Sequence, residues 1–570
     1  MVLGAQPRVR RRRYRAVVPG VRRIVGFDDA HTDIDGRDRI SVPEIDDTSV
    51  PTRHWDSRRE PTYSEFEHTA QQAVSIGAHH VRGRGPRHAM ATRLTAQDAS
   101  FYFLEAGSSP MHLGSLAGFR TPRSGFSYDR LLSLVEQRLM LVPRYRQKVR
   151  EVAFGLARPV WVDDADFDIT YHIRRSALPK PGTDDQLHDL IARLTSRPLD
   201  RTRPLWEMYL VEGLAKNRFA IFTKSHSALV DGENALDIGQ VILDASKNPA
   251  PMAEELWMPA REPKDSVLVL DALTELVVRP GESIETLRGA VNGVAGLAGD
   301  ALRAAGKVAA VLRTATQSAP SSPLNAPISR NRRFAVAKTE LADYRRIHDR
   351  FDCSINDVVL AVVTGALRNW LLSRGEPVTA SSTVRAMVPM SVYVSSDRVG
   401  FGEGSDMSGE PAEDDRSEVS SFLVDLPVGE SNAVVRLSHI AHATEAHSHQ
   451  SRGVTAQTLM RISGFAPASL HAMGARAGSR LSQRVFNLIV TNAPGPQFPL
   501  YVGGARMLEM YPVSPLFENQ ALSIGLTSYD GFVFFGLNAD RGAMPDVDVV
   551  TALLHEALEE LVDASNESRV

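Results

Sequence analysis

The stretch KSHSALVDG, residues 224–232, ends a run of β-forming residues in a histidine, His226, with Asp231 and Gly232 five and six positions on. Transfer of an acyl group from a thioester to an alcohol needs a base for the hydroxyl proton and a donor for the tetrahedral oxyanion. Histidine suits the first task because its ordinary pKa lies near neutrality. An aspartate a few residues later can lock the loop that presents the base, and the glycine after it permits a tight turn into a helix. Structural roles stay open beside the catalytic ones: a strand-end hydrogen bond for His226, loop orientation for Asp231 and a plain turn for Gly232.

The flanking pattern puts this stretch on a strand-to-helix loop. WEMYLVEGL (206–214) and RFAIFTKS (218–225) are β-rich runs joined by AKN, which reads as a hairpin delivering His226 at a strand end. After Gly232, NALDIGQVIL returns to helical spacing. YDRLLSLVEQRLMLV (128–142) is expected to be helical. So is SINDVVLAVVTGALRNWLLSRG, where Ser354 and Asp357 fit a capping box and Gly375 a carboxyl-terminal stop.

Bulk properties narrow the class. With 570 residues the chain calls for two domains plus extras, and a formal net charge of −3 argues against a surface built for nucleic acid. Cys353 is the single cysteine, which excludes an intramolecular disulfide and favours a reducing cytoplasm; its setting FDCSINDVVL reads as a buried position, not a nucleophile. No run of eighteen uncharged apolar residues occurs, and residues 290–315, broken by Asp300, Arg303 and Lys307, read as an amphipathic helix. No metal-ligand spacing and no phosphate-binding glycine loop of the P-loop type is present.

Composition sets the boundaries. Residues 1–90 form an Arg-rich extension expected to be disordered, with Met90 as an alternative start; 91–260 are expected to form the first domain, 261–332 a helical and Pro/Ser-rich linker, and 333–570 the second domain with an acidic loop at 402–418.

Several segments together carry a family resemblance. KSHSALVDG resembles the HHxxxDG signature shared by chloramphenicol acetyltransferase-like folds, condensation domains and the bacterial wax ester synthase/diacylglycerol acyltransferase family. LTAQDASFYFLEAGSSPMHLGSL, RPLDRTRPLWEMYLVEGL with Pro204, Leu205 and Trp206, SINDVV with Asn356 and Asp357, and TNAPGPQFPLYVGGARM with Asn492 are similar to the last of these, in its actinobacterial branch. The similarity covers residues 91–565 and implies an α/β fold of mixed sheets, two chloramphenicol acetyltransferase-like domains around a tunnel.

The resemblance implies transfer of a long-chain acyl group from acyl-CoA, as co-substrate and without a cofactor, to diacylglycerol or a long-chain alcohol. It also implies peripheral association with a membrane or lipid droplet, on the cytoplasmic side, through the linker helix or the Arg-rich tail, and no nucleic-acid partner. Asn492 is implied to face the tunnel. The family's second histidine, four residues before the aspartate, is the general base, and Ser227 stands there in this chain. A serine hydroxyl is un-ionised at neutral pH, so an acyl-CoA-binding pseudoenzyme is the alternative reading. His112 in SPMHLG is a family-like position that reads as structural. Pro204, Leu205 and Trp206 read first as packing, and Asn356 and Asp357 as helix entry.

Overall fold

The computed structural model describes residues 92–105, 108–153, 156–230, 237–249, 257–278, 319–390, 420–449 and 485–566. The expected extension, the amphipathic helix over 290–315, the acidic loop, Asp231 and Gly232 lie outside these described residues. The elements before the central loop are β1 (Thr92–Arg93), α1 (Ala96–Leu104), β2 (His112–Arg120), α2 (Tyr128–Arg138), β3 (Gln147–Arg150), β4 (Val160–Asp163), α3 (Ile169–His172), β5 (Ile173–Ala177), α4 (Asp184–Thr195), β6 (Trp206–Leu214) and β7 (Arg218–His226). Beyond it come α5 (Ser227–Val230), α6 (Ile238–Val241), α7 (Asp265–Val278), β8 (Arg332–Glu340), α8 (Leu341–Phe351), α9 (Ile355–Ser373), β9 (Val384–Met390), β10 (Ser420–Leu426) and α10 (Ala433–His449). The chain closes with β11 (Leu488–Pro494), β12 (Tyr501–Val502), β13 (Ala505–Val513), β14 (Leu522–Tyr529), β15 (Phe532–Asp540) and α11 (Val547–Asn566).

Among the described residues two six-stranded sheets, in the orders β12-β13-β2-β7-β6-β5 and β10-β9-β11-β14-β15-β8, and a small three-stranded sheet, β1-β4-β3, organise these elements. β6 and β7 pair antiparallel as the sequence predicts. Their turn runs through Lys216 and Asn217, both in the left-handed region at φ 61° and 54°, which matches the twist of a tight hairpin. The predicted helix over 128–142 is α-helical only to Arg138; short 3-10 turns then cover Leu139–Leu141 and Pro143–Arg146, where Pro143 cannot donate to a continuing helix.

β13 departs from a simple partition of the chain. It belongs to the segment expected to form the second domain, yet it pairs with β2 and completes the first sheet. On its way it passes tightly over the second sheet: a Cβ at Gly536 would overlap the Pro512 carbonyl oxygen, and one at Gly525 would come within 2.9 Å of the Pro512 Cβ. Only glycines admit this approach.

α9 begins at the expected capping box, with Ser354 Oγ accepting from Asp357 N–H and the Asp357 carboxylate accepting from Ser354 N–H, and Gly375 follows it at φ 74°. Among the described residues it is one helix long and apolar enough to cross a membrane. It packs instead against α10 and α11, and thirteen of its residues, from Asp357 to Leu371, are buried in the second core.

Candidate active site

Three donations to backbone carbonyls, two from backbone N–H groups and one from a hydroxyl, fix the end of β7. His226 N–H donates to the Leu205 carbonyl at 2.9 Å, and the Ser227 N–H and Oγ–H both donate to the Met111 carbonyl, at 2.8 and 3.0 Å. Leu205 precedes β6 and Met111 precedes β2, so the two strands flanking β7 grip its last residues from both sides. β7 stops at His226, and Ser227 opens the short helical turn α5. Ser227 is therefore a donor committed to a backbone carbonyl, buried at 3% exposure.

His226 is equally committed. Its Nδ1 accepts the Ala228 N–H at 3.0 Å, so the ring proton sits on Nε2, which lies 3.8 Å from Glu105 Oε2. Its cross-strand partner His112 brings Nε2 to 3.2 Å from the other carboxylate oxygen, out of line for a hydrogen bond. Arg201 donates through Nε and Nη2 to Glu105 Oε2, at 3.0 and 2.6 Å. Burial works against the charge on Glu105, but His112, His226 and Arg201 outweigh it and hold the carboxyl down at about 2. Burial pulls His226 down to about 3, despite Glu105, and pulls His112 below the usual range. Both imidazoles are neutral at physiological pH.

Pro204, Leu205 and Trp206 are all buried. Trp206 Nε1 donates to the Tyr145 carbonyl at 2.8 Å, and the His172 ring stacks on the indole at 4.6 Å with Nδ1 2.8 Å from the Trp206 carbonyl. The far side of the loop is anchored too. Tyr145 Oη accepts the Ile238 N–H at 3.1 Å, next to Ser225 Oγ at 3.4 Å, and the Asp237 carboxylate caps α6 through Gly239 N–H. Burial pushes the Asp237 carboxyl up. Beneath the strand, Lys224 Nζ meets Glu207 Oε2 at 3.0 Å and donates to the Leu194 and Arg197 carbonyls.

Asn356 and Asn492 come together in the second lobe, the Asn492 amide donating to Asn356 Oδ1 at 3.3 Å. Asp357 also accepts from Thr444 Oγ1 at 2.6 Å, beyond its capping bond. Cys353 is buried, and burial pushes its thiol up to about 12, so it stays protonated. Sequence reasoning passed over Glu105, Arg201, Tyr145, Lys224, Glu207 and Asp237. Glu105, Arg201, Glu207 and Lys224 all stand inside the family-like segments, Glu105 seven residues before His112, whereas Tyr145 and Asp237 lie outside them.

The buried histidines make stability pH-dependent. His226 and His172, drawn by burial from the ordinary 6.5 to about 3 and about 4, resist protonation that the unfolded chain accepts freely. Their contribution is complete above pH 6.5 and is lost as pH falls toward these folded values, on the order of 2 kcal/mol for each by pH 5. Asp237, raised by burial, trims that loss. The urea midpoint is expected to drop clearly between pH 7.5 and pH 5; an unchanged midpoint contradicts this.

Comparison with known proteins bears on this geometry directly. Residues 94–359 match the wax ester synthase/diacylglycerol acyltransferase catalytic domain and residues 417–562 the WS/DGAT C-terminal domain. The chain is 56% identical over 265 residues to the probable diacylglycerol O-acyltransferase tgs3 of Mycobacterium tuberculosis H37Rv, covering 46% of this chain and 98% of that protein. It is 34% identical over 483 residues to tgs1 of the same strain, likewise named a probable diacylglycerol O-acyltransferase, covering 84% and 97%. The fold is similar to that of the wax ester synthase/diacylglycerol acyltransferase from Marinobacter aquaeolei VT8, at 27% identity and a TM-score of 0.58 over 84% of this chain and 100% of that one. The first condensation domain of the calcium-dependent antibiotic synthetase shares the fold at 14% identity and a TM-score of 0.50, over 84% and 97%. The protein is a mixed α/β, chloramphenicol acetyltransferase-like chain that belongs to the wax ester synthase/diacylglycerol acyltransferase family.

Proposed function

We propose that this protein transfers a long-chain acyl group from acyl-CoA to the free hydroxyl of diacylglycerol, with a long-chain alcohol as second acceptor, at the loop that follows β7. The carbonyl carbon gains a C–O bond and loses its C–S bond, and the hydroxyl proton ends on the CoA thiol. The observation that carries this reading is the preserved frame of the loop: Leu205 and Met111 grip residues 226 and 227 as a strand-to-turn junction inside a chain that matches both family domains. The pseudoenzyme alternative draws no support from these relatives, each named as a diacylglycerol acyltransferase.

By their place in the signature, His226, Ser227 and Asp231 are assigned to the reacting site and Gly232 to the motif; Pro204, Leu205 and Trp206 pack behind the strand end, Asn356 and Asp357 are motif residues of the second half, and Asn492 is a candidate tunnel residue. The hydroxyl of Ser227 donates to Met111 and His226 Nδ1 is spent on Ala228, so neither accepts the acceptor's proton. Catalysis then rests on binding and orientation, which makes it slow. Acyl-CoA is a co-substrate and no cofactor enters the reaction. The acceptors are insoluble in water, which supports work at a membrane or droplet surface from the cytoplasm. The exposed Val267 and Leu270 on α7 are consistent with such contact.

Full-length protein incubated with palmitoyl-CoA and either diolein or hexadecanol is expected to release CoA and form triacylglycerol or wax ester above a heat-killed control. No product at high enzyme concentration overturns the proposal.

A further inference from the structure

Glu105 sits where α1 ends, one residue past Leu104, with its side chain 9% exposed. Each carboxylate oxygen faces one histidine: Oε1 lies 3.2 Å from His112 Nε2 and Oε2 lies 3.8 Å from His226 Nε2. The two rings come from directly opposed residues of β2 and β7, their centroids 6.2 Å apart. Arg201 anchors the carboxylate from the other side. Its Nη2 donates to Glu105 Oε2 and also to the Tyr102 carbonyl at 2.9 Å, and its guanidinium lies over the Tyr102 ring at 4.3 Å.

The polar atoms at this junction are buried but incompletely satisfied. Among the described residues, Glu105 Oε1, both His112 nitrogens and His226 Nε2 have no aligned hydrogen-bond partner. Such a concentration of orphaned atoms around one carboxylate is costly for a merely structural cluster and marks a place where function sets the chemistry. One link leads outward. His226 Nδ1 accepts from Ala228 N–H, the amide one residue past Ser227, so the ring couples the carboxylate to the turn that presents position 227.

We propose that Glu105 is a positioning residue for acyl transfer: facing the Nε2–H of His226, it keeps Nδ1 turned to Ala228 and thereby sets the backbone of the turn carrying residue 227. The idea rests on the reading of this loop as the acyl-transfer site. It explains why the first histidine of the signature persists where the second is gone, since the latch works whatever side chain stands at 227. Glu105 acts through His226 and need not touch substrate.

Three measurements test it, two of which need no turnover and so separate its failure from failure of the proposed activity. In wild type, long-range ¹⁵N spectra of the histidine side chains, with the His226 signals identified by their loss in His226→Gln, should show Nε2 protonated and Nδ1 unprotonated from pH 6 to 8. A proton on Nδ1 overturns the latch without any Glu105 variant having to fold. In Glu105→Gln, which keeps an oxygen for Arg201, amide exchange of residues 226–230 should speed up by about tenfold or more while the urea midpoint and exchange in α9 hold. With palmitoyl-CoA and diolein, kcat should fall about 10- to 100-fold at a KM within about twofold of wild type, the signature of lost alignment. Unchanged exchange at 226–230 in Glu105→Gln, or an unchanged kcat, overturns the proposal.

Discussion

Ser227→His is expected to raise kcat for acyl transfer to diolein by about 10²- to 10⁴-fold, the usual worth of a positioned general base. The physical ground is what the loop now lacks. His226 Nδ1 is occupied by Ala228 N–H, its Nε2 carries the proton, and Ser227 Oγ–H donates to the Met111 carbonyl, so neither residue 226 nor residue 227 offers a free basic lone pair. A histidine at 227 starts from the same backbone, at the first residue of the turn after β7, with its N–H still given to Met111. KM for palmitoyl-CoA should move little, because proton removal is needed in the transition state and not for binding. Parallel initial rates of CoA release decide the matter; equal rates for the two proteins contradict the assignment of position 227.

Glu207→Ala should cost about 3–5 kcal/mol of stability, because it leaves the Lys224 ammonium buried without its counter-ion. Lys224 is 1% exposed, with Glu207 Oε2 at 3.0 Å and two backbone carbonyls as its remaining partners. Burial pulls Lys224 down; Glu207 is pushed up by burial and brought below its usual range by Lys224. Arg174, 3.2 Å from Glu207, and the Tyr209 hydroxyl, 2.8 Å away, lose their acceptor in the same change. The double variant Glu207→Leu, Lys224→Met removes both charges and should recover most of the loss, as apolar replacement of buried pairs often does. Urea unfolding of the two variants checks this. A single variant as stable as wild type, or a double variant no better than the single, contradicts the account.

What could be read from the sequence was what short-range pattern controls. The β6–β7 hairpin was legible because alternation and a short polar turn are local features, and the entry of α9 because a capping box needs only residues 354 and 357. The burial of Trp206 and of Cys353 followed from side-chain type and setting. The family-like segments pointed to the family that the domain matches show.

Contacts between distant segments were not legible. Glu105, Arg201 and His226 meet only after α1 packs against the α5 turn that follows β7, and β13 joins the first sheet although it follows most of the second in the chain. Nothing in the spacing around Lys224 announces Glu207, because their pairing depends on the register of β6 against β7. The end of α2 at Arg138 was overrun for a local reason: apolar residues continue in helical spacing through Val142, but the chain tightens into 3-10 turns before Pro143.

The most direct test of the central claim, that this loop transfers acyl groups without a base at position 227, is triacylglycerol formation from radiolabelled palmitoyl-CoA and diolein by wild type and Ser227→Ala side by side. The account predicts slow formation above the heat-killed control, equal within about twofold in the two proteins, since a hydroxyl that donates to Met111 takes no proton from the acceptor. Loss of product in Ser227→Ala, or its absence from wild type, would contradict it.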